Sequence, residues 1–114
     1  MNEIQQVERE IEQYKADMTT AEKLEKLHSN REFKEIILNG FLRENVIRLV
    51  GLKGHPDMQT PEKQASVLKQ IDAVSVLTDY FRQIFNKGEI ANRNIVDHER
   101  LHSELLKEEA ENHG

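Results

Sequence analysis

Apolar residues recur at Ile4, Val7, Ile11, Tyr14, Met18 and Ala21, with steps of 3, 4, 3, 4 and 3. That spacing is a heptad seam on a helix. It predicts a first helix over about residues 2–28, with Leu24 and Leu27 continuing the stripe in a shifted phase. Thr19 with Glu22 has the form of a capping box, so a restart at TTAE and one unbroken helix are both allowed. Ser29 with Glu32 forms a second capping box and opens a middle helix over about residues 31–52. Between Phe33 and Leu52 its apolar residues cover most of a wheel drawn at about 100° per residue. A helix apolar nearly all round is buried on most sides. Two neighbours in a small chain cover only part of it, so the remainder calls for a further surface.

LKGHPDMQTPEK then marks a loop at about residues 53–60, with Gly54 as a C-terminal cap and Pro56 as the stop. Thr60-Pro61-Glu62 is a helix start. A third helix follows over about residues 61–111. Its seam is Val67, Ile71, Val74, Leu77, Phe81, Ile84, Gly88, Ala91, Ile95, His98, His102 and Leu105, and NKGE at 86–89 is the place where it would break. Unbroken, it would run ~75 Å at 1.5 Å per residue. A compact 100-residue domain is only ~26 Å across by its radius of gyration, so this rod must pack along another long element. The first helix is that element. The expected fold is all-α, a three-helix antiparallel arrangement in a single domain spanning 1–114. The long C-terminal helix pairs with the N-terminal one as a coiled-coil-like stalk: Ile4 near Leu105, Ile11 near His98, Met18 near Ala91.

Composition supports helix: 114 residues, 32% charged, 37% hydrophobic, 5 Gly and 2 Pro. With no cysteine there are no disulfides, thiolate metal sites or cysteine nucleophiles, and the chain suits a reducing cytoplasm. The start, MNEIQQVEREIEQ, lacks the basic and apolar regions of a secretory signal. Arg43, Glu44 and Arg48 interrupt the most apolar stretch, so no membrane span is expected. The net charge of −5 is concentrated at the two ends: residues 1–28 carry four basic and seven acidic side chains, and residues 96–114 two and six. An acidic chain without a Lys/Arg cluster argues against nucleic acid as a partner. Like charges on both stalk helices favour a solvated stalk or a basic partner.

One short motif bears on chemistry. HERLH at 98–102 has the H-E-x-x-H form, in which His98 and His102 would hold zinc and Glu99 would activate water. A catalytic zinc needs a third protein ligand and a cleft. Only twelve residues follow His102, and they continue a helical pattern. The two histidines read instead as seam residues between Ile95 and Leu105. No phosphate loop, Ser-His-Asp set or paired-carboxylate cleft can be composed. The expectation is therefore a non-enzyme with no catalytic residue, metal or cofactor, whose contact residues are Phe41, Leu42, Val46, Leu49 and Tyr80.

EFKEIILNGFLRENVIRLVGLKGHPDMQ and QIDAVSVLTDYFRQIFNKGEIANRNIVDHE together resemble a group of small helical proteins encoded by tailed bacteriophages among their virion and assembly genes. The resemblance spans about residues 20–105 and carries no active-site signature. It implies a structural or assembly protein of a phage particle, in the head, portal or head–tail region. Such a protein would form homo-oligomers or contact other virion proteins, in the virion or in host cytoplasm during assembly. The alternative is a small acidic binding protein directed at a host or replication protein.

Overall fold

A computed structural model describes residues 2–113 of the chain. The first helix is Glu3–His28, unbroken through TTAE, where the Thr20 hydroxyl donates back to the Ala16 carbonyl at 3.0 Å. The middle helix begins at Arg31, as the pattern predicts, but its cap is Asn30. The Asn30 Oδ1 accepts the Phe33 amide at 2.9 Å, while the Ser29 hydroxyl donates to Glu25 O at 3.3 Å. After a short 3-10 turn, Pro56–Met58, the long helix runs Pro61–His113 without interruption. Thr60 is its cap, its Oγ1 accepting the Lys63 amide at 3.3 Å. Every regular element among the described residues is helical, and none is long and apolar enough to cross a membrane.

The chain divides into two units. One is Met1–Lys23 with Ile84–Gly114. Here the first helix and the C-terminal part of the long helix pack antiparallel in the predicted register. Ile4 and Leu105 border one shallow depression, Glu10 meets His98, and Ala21 meets Gly88. Val7, Ile11 and Ala91 are buried along the seam. Gly88 is a point of close approach between the helices rather than a break. A Cβ built there would overlap the Ala21 methyl, so at position 88 only hydrogen fits against it.

The other unit is Leu24–Gln83. Its core is Leu24, Leu49, Val67 and Val74, with Leu49 and Val67 wholly enclosed. Burying each such side chain contributes ~1.5–3 kcal/mol. His28 and Phe33 stack at the Phe81 ring, with centroids 5.2 and 6.0 Å from it.

The middle helix departs from expectation in its winding. Arg31–Phe33 and Asn45–Lys53 are α-helical, but Lys34–Glu44 is a π-helix, closing with the Asn45 amide on the Gly40 carbonyl, five residues back. A π-helix turns about 80° per residue against about 100° for an α-helix. The difference changes which residues share a face. Phe33, Ile37, Leu38, Phe41, Leu42, Val46, Leu49 and Leu52 are the less exposed large apolar positions of this helix. They fan over roughly 220° of an α wheel but gather into roughly 160° once the π turns are counted. The helix that looks apolar all round at α periodicity thus has one inward stripe. Ile47 lies outside it, at 65% exposure, while Ile36 and Val50 lie at its edges, at 66% and 58%.

Candidate functional site

The HERLH residues lie in the antiparallel pair. On the long helix, His98 and His102 are one turn apart and both face the first helix. The His98 Nε2 meets Glu10 Oε2 at 2.8 Å, and the His102 Nε2 meets Glu8 Oε1 at 3.0 Å. Each imidazole therefore has its own carboxylate, from residues two apart on the opposing helix. The Tyr14 ring stands edge-on to His98, centroids 4.9 Å apart at 87°. The two Nε2 positions that would bind one ion are each engaged as donors by a separate carboxylate. Glu99 is exposed and borders a shallow depression together with His102 and Glu8. Among the described residues no group of three or more His, Asp or Glu side chains converges as metal ligands.

His98 carries a further constraint. Its Nδ1 lies 3.1 Å from the Asn94 carbonyl, and its Nε2 faces the Glu10 carboxylate. A carbonyl and a carboxylate only accept, so both hydrogen bonds form together only on the doubly protonated ring. The Glu10 carboxyl is held below its ordinary value. The Gln6 amide, donating to it at 3.0 Å, is the largest cause. Burial opposes the shift, and the hydrogen bond and charge of His98 add to it. This cluster locks two helices in register. Glu8 and Glu10 were missed by motif reading, because they lie just off the heptad seam. The predicted register, with Ile11 beside His98, placed them within reach.

The predicted contact residues fall on both sides of the protein surface. Phe41, Leu42 and Val46 are half-buried in the inward stripe, and Tyr80 is 57% exposed. Leu49 is fully enclosed and is a core residue: the π winding turns it inward, leaving no surface for a partner. The most exposed apolar positions of the same unit are Ile36, Ile47 and Val50 on the middle helix, and Val76 beside Tyr80 on the long helix; Leu27 and Leu68 are less so. Ile47 with Val50, and Val76 with Tyr80, are spaced to share a face.

Comparison with known proteins finds no matching family model, no matching curated protein and no matching solved structure.

Proposed function

We propose that this chain is a non-enzymatic structural or assembly protein acting through helix-mediated protein–protein contacts. Its place is a bacteriophage particle, in the head, portal or head–tail region, as the resemblance of its middle and long helices implies. The partners are sister subunits or other virion proteins, met in the virion or in host cytoplasm during assembly.

The observation that carries this reading is the pair of apolar faces on the Leu24–Gln83 unit, Ile47 with Val50 and Val76 with Tyr80, each residue more than half exposed. Adjacent large apolar side chains in water mark contact surfaces more often than scattered ones. The histidines of HERLH support the non-enzymatic part, since each is engaged by a carboxylate across the helix pair.

A second reading has its own support. The Met1–Lys23/Ile84–Gly114 unit carries seven basic against thirteen acidic side chains, net −6, while the other carries nine against eight, net +1. An acidic helix pair fits a basic surface on a host or replication protein. Sedimentation velocity of the purified chain, with mass spectrometry of purified particles, separates the two. The structural reading expects a discrete oligomer, reduced to monomer by Ile47→Asp with the helical signal retained, and recovery in virions. A monomer at high concentration that is absent from particles overturns it. Salt-sensitive binding to a basic host protein would then favour the second.

A further inference from the structure

We propose that Lys34–Glu44 is a two-register segment, exchanging between its π winding and an α winding that turns Asn45–Lys53 by about half a turn. The segment holds eleven residues at about 80° each, where an α-helix would advance about 100°. The accumulated difference is about 200°, which equals about two surplus residues.

The two windings select different stripes. With Phe33 fixed against His28 and Phe81, the π register brings Leu42, Val46 and Leu49 to within about 40° of it. The α register sends those three to the opposite side and brings Ile36 and Ile47 to within about 60° instead. Ile37 and Phe41 stay on or near the Phe33 side either way. The sequence thus contains two apolar stripes sharing one anchor, which is why its residues cover the whole α wheel.

Opposing costs hold the registers close. The π form keeps Leu49 wholly buried but spends eleven residues in a winding that other helices use only for single turns. The α form relieves the winding, yet places Glu44 in the inward stripe beside Ile47. Glu44 therefore keeps the π register as the ground state. Each amide passes between registers by moving its bond one carbonyl along the ladder, with no break in the helix. The device decides which apolar face the unit presents: Ile36 and Ile47 in one register, Leu42, Val46 and Leu49 in the other.

The chain has no cysteine, so single thiols report the rotation cleanly. Leu49 and Val67 are both fully buried, but only Leu49 turns outward in the α register. In otherwise native full-length protein, Leu49→Cys is expected to react with a thiol reagent at least tenfold faster than Val67→Cys. Deleting Asn39 and Gly40 removes the surplus and lets an unbroken α-helix keep Leu42, Val46 and Leu49 on the Phe33 side. That deletion is expected to fold cooperatively and to abolish the rate difference. Hydrogen exchange on the unsubstituted chain gives an independent reading, with amides 38–45 exchanging at least tenfold faster than amides 67–77. Equal thiol rates with equal amide protection overturn the proposal, as does a deletion variant that melts without cooperativity.

Discussion

At the residue scale, Gly88 and Ala21 set the separation of the two paired helices. Alanine has the higher helix propensity by about 1 kcal/mol. At position 88 that gain is outweighed, because the added methyl meets the Ala21 side chain and forces the two helices apart. Gly88→Ala is expected to destabilise by ~1–3 kcal/mol, as overpacking does. Ala21→Gly in the same chain is expected to recover much of the loss, which thermal melts of a double-mutant cycle would show. Glu10 gives a pH dependence of definite sign. Its carboxyl is held low in the folded protein, so it binds a proton more readily when unfolded. The stabilisation is complete above the ordinary carboxylate range and is lost as pH falls through the lowered value. Melting temperatures taken from about pH 6 down to about pH 3 are expected to fall, and Glu10→Gln is expected to flatten that slope.

At the element scale, the first and long helices were legible because a heptad seam is a property of two α-helices, and both are α-helices here. The steps of 3 and 4 gave the two seams, and their places at opposite ends of the chain gave the antiparallel pairing. The middle helix was legible in its start and end but not in its winding. A wheel drawn at α periodicity assumes the answer, and it spread one stripe around the whole circumference. The signal was present as spacings near four and above: Phe33, then Ile37 and Leu38, then Phe41 and Leu42, then Val46. Asn30 rather than Ser29 caps this helix because Asn30 is the last residue in extended conformation before the helical turns begin. The winding also separates residues that composition treats alike. Leu49→Ala is expected to cost ~2–5 kcal/mol by leaving a cavity, and Ile47→Ala less than about 0.5 kcal/mol. Chemical denaturation of the two variants would check this.

At the scale of the whole molecule, the division into two units parts the charge as well as the packing. The helix pair made from the chain's two ends is strongly acidic, while the unit between holds the enclosed Leu49 and Val67 and the exposed apolar pairs. The sequence revealed the acidic ends directly, since charge needs no periodicity to be read. Which hydrophobic residues would be left for a partner was hidden by the π turns. Antiparallel pairing has a topological consequence. Asn2 and Glu3 border the same depression as Asn112 and His113, so the first and last described residues are neighbours in space. The His98–Glu10 bond closes a span of 88 residues, a slow loop to close during folding. A short linker joining those ends, with new ends cut in the exposed segment around His55, would turn that distant pairing into a local hairpin and leave the same contacts to form in a different order.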